Sequence, residues 1–136
     1  MDQREEFLSI FSQHVTRPGA DKLLAWLDTT DFFRAPASTR FHGACAGGLL
    51  MHSLNVYHCL REHYFEPGDS EESFALCALL HDVCIRWHMG GFDDAARGGC
   101  FAISQAYDQY PLAVKLHLAD LEATYLKEKG TSAVRR

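Results

Sequence analysis

Hydrophobic side chains recur along the chain at the three- and four-residue spacing of amphipathic helices, in stretches bounded by Pro and Gly residues. No segment alternates polar and hydrophobic residues with the two-residue period of a strand. We therefore predict an all-α fold, a bundle of about five to six helices that forms a single domain over residues 1–136. The pattern predicts helices over residues 4–15, 20–27, 48–65, 71–88 and 112–127, and leaves room for a short one over residues 101–109.

The predicted helix over residues 71–88 is hydrophobic on all sides, yet His81 and Asp82 stand in the middle of it. A helix of this composition is expected in the centre of a fold. There an ionised carboxylate is too costly unless it is paired, hydrogen-bonded or bound to a metal ion. Asp82 therefore needs a partner from elsewhere in the fold.

Polar side chains also interrupt the hydrophobic faces of two other predicted helices. His52 lies among hydrophobic residues of the third helix, and Asp120 interrupts the last helix. Because these helices must pack together, their polar groups can meet. Together, His52, His81, Asp82 and Asp120 would supply two imidazoles and two carboxylates. This donor set suits a divalent ion such as Mn, Fe, Co, Ni, Zn or Mg, and the lack of thiolates argues against a purely structural zinc site.

Ordinary structural roles compete with this interpretation. Eight His and ten Asp in 136 positions give about 0.6 His-Asp dipeptides by composition alone. A buried histidine that donates to a carboxylate is also a common structural pair. His117 is either a hydrogen-bond partner of Asp120, one turn away, or a core histidine. His14, His58 and His63 lie near polar faces and are expected at the surface.

Composition and charge restrict the function further. The five cysteines are scattered and form no CxxC pair, which disfavours a disulfide framework and fits a reduced, cytoplasmic setting. No hydrophobic run approaches the roughly 18 residues needed to cross a bilayer, so no membrane association is expected. With a net charge of −5 and no internal Lys/Arg cluster, the chain is not expected to bind nucleic acid by bulk electrostatics.

The order of His52, then His81-Asp82, then Asp120 on three predicted helices resembles the H…HD…D signature of the HD-domain metal-dependent phosphohydrolases. The longer likeness covers about residues 36–127 and is to a branch of small bacterial and phage-associated HD proteins. Its H-x-A-x-x-GGLL-x-H portion is also similar to the HD domain of bacterial 3′-to-5′ exoribonucleases. The segments that carry it are FHGACAGGLLMHSLNVY (41–57), ALLHDVC (78–84), IRWHMGGFD (85–93) and YPLAVKLHLADLEATYL (110–126).

The resemblance implies an HD-type helical domain that hydrolyses a phosphomonoester or phosphodiester, with a small phosphorylated molecule such as a nucleotide, or an RNA end, as candidate substrate. Asp82 would then both bind the ion and orient or deprotonate the attacking water. Arg40 and His42 are expected to bind the phosphate, together with Arg86 or His88.

The sequence departs from the family pattern after the His-Asp pair. Members of this branch commonly have a Lys shortly after the pair and then a connecting segment of several tens of residues. Here His81-Asp82-Val83-Cys84 is followed directly by IRWHMGG. The alternative is therefore a non-catalytic HD fold that binds a metal ion or a nucleotide for regulation. A third interpretation is a helical interaction protein whose His and Asp side chains are simply paired in the core.

Overall fold

The computed structural model describes residues 1–37, 45–87 and 108–128, with side chains described up to Val83 in the second of these ranges. No strand occurs in these ranges, so the all-α prediction is confirmed, and the five long helices lie where the hydrophobic pattern predicts them. The short helix considered over residues 101–109 falls almost entirely outside the described residues. The helices are α1 (Gln3–His14), α2 (Ala20–Asp28), α3 (Gly48–His63), α4 (Glu71–Trp87) and α5 (Pro111–Glu122), and α5 continues as a π-helical segment (Ala123–Lys127).

Local sequence signals explain where the helices begin. At α1 the Asp2 carboxylate accepts a hydrogen bond from the Glu5 N–H at 2.8 Å, and the Glu5 carboxylate accepts one from the Asp2 N–H at 3.1 Å. This capping box satisfies two N–H groups that have no partner within the helix. At α4 the Ser70 hydroxyl accepts from the Ser73 N–H at 3.1 Å. Pro111 opens α5, where its missing N–H costs nothing.

Helix α3 lies at the centre of the bundle and packs against α1, α4 and α5. Ten of its sixteen residues are buried, including Leu54, Val56 and Leu60. The sequence pattern instead favoured the helix over 71–88 as the central one. Among the side chains described in α4, Phe74, Ala78 and others are buried, but several are only half-buried. Hydrophobic content alone did not distinguish the two helices.

The N-terminus of α3 is fixed by a close backbone approach. Gly47 has a φ of +76°, in the left-handed region that favours glycine, and its N–H donates to the Arg34 carbonyl at 2.9 Å. The Leu49 N–H donates to the Ala35 carbonyl at 3.0 Å. These bonds attach the chain that follows α2 to the first turn of α3. They set the start of the helix that carries His52.

In the described part of the chain, no helix combines the length and the hydrophobicity needed to cross a membrane.

Candidate metal centre

Helices α3, α4 and α5 bring together all four side chains that the sequence predicted as metal ligands. The Nε2 atom of His52 lies 2.9 Å from Oδ1 of Asp120 and 3.7 Å from Oδ2 of Asp82. The Nε2 atom of His81 lies 3.4 Å from Oδ1 of Asp82 and 3.7 Å from Oδ1 of Asp120. One ligand atom each from His52, His81 and Asp120 lies within 4.8 Å of the others, a group that could hold a metal ion. Asp82 is not part of this group, and it faces His52 with Oδ2 and His81 with Oδ1.

The spacing of these atoms fits a single ion. Bonds from a divalent metal to imidazole nitrogen or carboxylate oxygen are about 2.0–2.2 Å long, so neighbouring ligand atoms in a tetrahedral or octahedral shell lie about 2.8–3.6 Å apart. The four distances among the His and Asp atoms range from 2.9 to 3.7 Å. His52, His81 and Asp120 are therefore close enough to bind one ion between them, and Asp82 would add one of its oxygens.

His81 presents an unused nitrogen to this site. Its Nδ1–H donates to the carbonyl of Ala78 on the same helix at 2.8 Å, which leaves Nε2 as the nitrogen that faces the site. This Nε2 is buried and has no hydrogen-bond partner among the described residues. A buried polar atom without a partner is uncommon and needs an explanation. A metal ion bound beside Asp82 and Asp120 would give this nitrogen a partner.

His52 is held by a residue that the sequence did not predict. Its Nδ1–H donates to both carboxylate oxygens of Glu128 at 3.1 Å, and the Nδ2 amide of Asn55 donates to the same carboxylate at 2.9 Å. Glu128 is 1% exposed, and His52 is equally buried. Because a carboxylate accepts at Nδ1, the proton lies there, and Nε2 of His52 is left facing Asp82 and Asp120.

The π-helical segment explains why Glu128 was missed. In an unbroken α-helix Glu128 would be rotated by about 80° from Asp120, since each residue turns the chain by about 100°. In the structure the Glu128 N–H donates to the Ala123 carbonyl, five residues earlier, at 3.0 Å. This wider turn rotates the chain less per residue and offsets the difference. A three- and four-residue pattern gives no signal of such a turn.

Burial and charge act in opposite directions on the titrating groups. Burial alone would lower the pKa of His52, but its hydrogen bonds to Asp120 and Glu128 and the charge of Asp82 raise it to about 10. Burial would also lower the pKa of His81, and the neighbouring Asp120 and Asp82 carboxylates raise it. For Asp120, burial favours a higher pKa, but the imidazoles of His52 and His81 hold it well below its usual range. The carboxylates thus favour the protonated form of both histidines, and the imidazoles favour the ionised form of Asp120.

The site is buried on its histidine side and open on its carboxylate side. The His52 and His81 side chains are 1% and 5% exposed, whereas those of Asp82 and Asp120 are 24% and 35% exposed. The sequence predicted buried carboxylates, and the structure shows both of them half-buried. Because both aspartates reach the surface, an ion between them would be accessible to a molecule in solution.

The phosphate-binding residues expected from the resemblance fall outside the side chains that the structure describes. Arg40, His42 and His88 lie beyond the described ranges, and only the backbone of Arg86 is described, within α4. Their proposed role stays a prediction.

The structure also describes four histidines outside the ligand group, namely His14, His58, His63 and His117. His117 is exposed, so its interpretation as a core histidine is wrong. His58 pairs with Glu6 of α1, and His63 pairs with Glu122 of α5, with both imidazoles about half exposed. As predicted, these two are surface histidines.

Comparison of the chain with protein-family models, with curated proteins and with solved structures found no match in any of the three. The resemblance to the HD-domain phosphohydrolases thus depends on the motif residues of this chain and stays a prediction.

Proposed function

We propose that the protein is a metal-dependent phosphohydrolase of the HD type, which cleaves a phosphomonoester or phosphodiester bond. A nucleotide or an RNA end is the candidate substrate. The observation that carries the proposal is the group of His52, His81 and Asp120, whose ligand atoms lie within 4.8 Å of one another, with the Asp82 carboxylate beside both histidines. The same four residues occupy the positions of the H…HD…D signature.

The side chains of the site have different roles, which follow from how deeply each is buried. His52 and His81 form the buried side, where each donates its Nδ1–H to a protein acceptor and directs Nε2 inwards. Asp120 lies against His52 and closes the site from α5. A bound divalent ion would act there as a Lewis acid toward a phosphoryl oxygen and lower the pKa of a water molecule.

Asp82 is the candidate general base. Its carboxylate is 24% exposed and therefore within reach of both the ligand cluster and a molecule in solution. A carboxylate in this place can orient a water molecule and accept its proton while the water attacks phosphorus. Asp120 is less suited to this task, because its Oδ1 lies 2.9 Å from Nε2 of His52, within the group that would hold the ion.

The substitution Asp82→Asn tests this assignment. It keeps the size of the side chain and one oxygen, but it removes the charge that accepts the proton. With Mn, Co or Ni supplied, hydrolysis of bis(p-nitrophenyl) phosphate and of nucleotide substrates should fall by about 100-fold or more. Metal occupancy, measured by elemental analysis, should fall much less, because three other side chains still contact the ion.

The variant Asp28→Asn is the matched control, since Asp28 forms an exposed pair with Arg4 away from the cluster. It should keep both activity and metal. Equal activity of wild type and Asp82→Asn would show that Asp82 is not the base. A wild-type protein that hydrolyses none of these substrates with any of the ions would overturn the enzymatic proposal.

A second candidate function is a metal- or nucleotide-binding regulatory module without turnover. The observation that favours it is the chain after Asp82, which continues as Val83-Cys84-Ile85-Arg86 without the Lys and connecting segment of the family pattern. Retention of metal together with inactivity on a broad panel of phosphatase and phosphodiesterase substrates would select this function. The helical interaction protein, as a third possibility, requires that the purified protein bind no metal.

A further inference from the structure

Two different acceptors orient the two histidines of the site. His81 donates to the Ala78 carbonyl, an acceptor that the helix itself fixes three residues away. His52 donates instead to Glu128, which lies 76 residues further along the chain. The orientation of His81 is therefore set locally, whereas that of His52 depends on a side chain from the far end of the fold.

Glu128 is an unusual residue in structural terms. It is almost as completely buried as the hydrophobic core, with 1% exposure. A carboxylate in such a place is costly unless strong donors surround it. Here the donors are the His52 imidazole, which contacts both oxygens, and the Asn55 amide one turn further along α3. A surface position would have avoided this cost, so the carboxylate is expected to serve the group that it contacts.

We infer that Glu128 is a positioning residue for the metal centre, which holds His52 with its proton on Nδ1 and its Nε2 lone pair directed at the ion. This inference rests on the metal site of the proposed function. A carboxylate that accepts from a ligand histidine fixes the ring orientation and makes the other nitrogen a stronger donor to the metal. Asn55 in turn holds the Glu128 carboxylate in place.

The π-helical segment is part of this arrangement. It ends at Lys127, and Glu128 follows directly with its N–H bonded to the Ala123 carbonyl. Turns of this kind are frequent at functional sites, where they redirect a side chain. The segment thus connects α5, which contributes Asp120, to the residue that orients the ligand from α3.

The chain contains a matched control for Glu128. Glu122 also belongs to the end of α5 and also contacts the Nδ1 atom of a histidine on α3, His63, at 2.5 Å. That pair is more exposed than His52 and Glu128, with 46% of the His63 and 18% of the Glu122 side chain exposed, and it lies outside the ligand cluster. The substitutions Glu128→Gln and Glu122→Gln make the same chemical change, the loss of one negative charge at constant size, in the two pairs.

Titration calorimetry with Zn²⁺ or Co²⁺ alone, on the purified full chain, measures the effect. Glu128→Gln should weaken metal binding by about tenfold or more, the range typical of partners that orient a metal ligand. Glu122→Gln should stay within about twofold of wild type. Equal affinities of wild type and Glu128→Gln would overturn the inference but leave the metal site intact. Failure of the wild type to bind either ion would instead overturn the proposed function.

A spectroscopic measurement on the wild type keeps the inference testable should Glu128→Gln fail to fold. In the zinc-loaded protein, the ¹⁵N shifts of the His52 ring should show a protonated Nδ1 and a metal-bound Nε2, with the Nδ1 proton shifted downfield by the carboxylate. A purely structural role for Glu128 does not require this state. Metal bound through Nδ1, or an Nδ1 without its proton, would overturn the inference.

Discussion

At the scale of single residues, metal binding at the cluster would exchange protons for the ion. Without an ion, His52 and His81 are stabilised as imidazolium groups by Asp82 and Asp120, and burial alone would disfavour that charge. An ion would replace the imidazolium protons as the positive charge that the carboxylates face. The carboxylates can therefore face positive charge in two states, one with protonated histidines and one with a bound ion. Removal of any one of these side chains affects both states.

Loss of a ligand should reduce the metal content and the thermal stabilisation by metal together. We expect His81→Ala and Asp120→Ala to have this effect, because an ion that binds only the folded state stabilises it by about 2.7 kcal/mol at a free concentration 100 times Kd. The measurement is elemental analysis, combined with the rise in Tm on addition of Mn²⁺ or Zn²⁺. This rise, rather than Tm itself, is compared, since Asp120→Ala also breaks an ion pair of the metal-free protein.

The controls are His14→Ala and His63→Ala, which remove histidines that are only partly buried and lie outside the cluster. Both should keep the metal content and the metal-dependent rise in Tm of the wild type. If all four variants behaved alike, the cluster of His52, His81 and Asp120 would not be the metal site.

The four ligand candidates could be predicted because each interrupts a hydrophobic stretch of its own helix. Such an interruption is visible locally, and burial of the histidines follows from it. Glu128 could not be predicted in this way, because its position depends on one π-helical turn and on a contact with His52 across 76 residues. The exposure of Asp82 and Asp120 was also beyond the pattern, since it depends on how three helix ends meet.

At the scale of elements, the hydrophobic pattern of α5 does not identify which of its faces is buried. Leu118 and Leu121 are each 41% exposed, so the hydrophobic residues of this helix are not confined to the side that packs against α3. Ala119 of α5 and Ala123 at the start of the π-helical segment are buried, and their small side chains let this part of the chain approach α3 closely. His117 was placed in the core because the surrounding sequence is hydrophobic on several sides. In α3, by contrast, the hydrophobic face of the sequence is also the buried face.

The difference between these helices can be measured with two leucine truncations. Leu60 of α3 is 0% exposed, so Leu60→Ala should lower the free energy of unfolding by about 2–5 kcal/mol through lost burial and a new cavity. Leu118→Ala on the exposed side of α5 should change it by no more than about 0.5 kcal/mol. Urea unfolding of the metal-free protein gives both values. A loss for Leu118→Ala as large as that for Leu60→Ala would show that the exposed side of α5 is buried in solution.

At the scale of the whole molecule, the site exists only when α3, α4 and α5 are packed together, so its protonation is coupled to folding. His52 has a pKa of about 10 in the folded metal-free chain and an ordinary value of 6.5 when unfolded. Its contribution to stability is therefore complete below pH 6.5 and is lost as the pH rises toward about 10. Asp120, with a depressed pKa, contributes above about pH 3.8 and loses its contribution as the pH falls.

The directions of these pKa shifts predict that the metal-free protein becomes less stable as the pH rises from 5.5 to 8. The additional stability that a bound metal ion confers should increase over the same range. The free energy of unfolding of the metal-free protein should fall by up to about 1.4 kcal/mol per pH unit above pH 6.5 for the single proton of His52. Metal affinity should rise over the same range, because the ion must displace that proton from Nε2. Urea unfolding and zinc titrations at several pH values measure the two trends.

If the same nitrogen of His52 binds either a proton or the metal ion, stability of the metal-free protein and metal affinity must change with pH in opposite directions. Two unrelated effects would not have to do so. The variant Leu60→Ala serves as the control, since it should lower stability at every pH and leave both slopes unchanged. Calorimetry in two buffers of different ionisation enthalpy should also show at least one proton released for each zinc ion bound at pH 7. Zinc binding that releases no proton and has the same affinity at pH 5.5 and pH 8 would mean that the ion does not bind at Nε2 of His52.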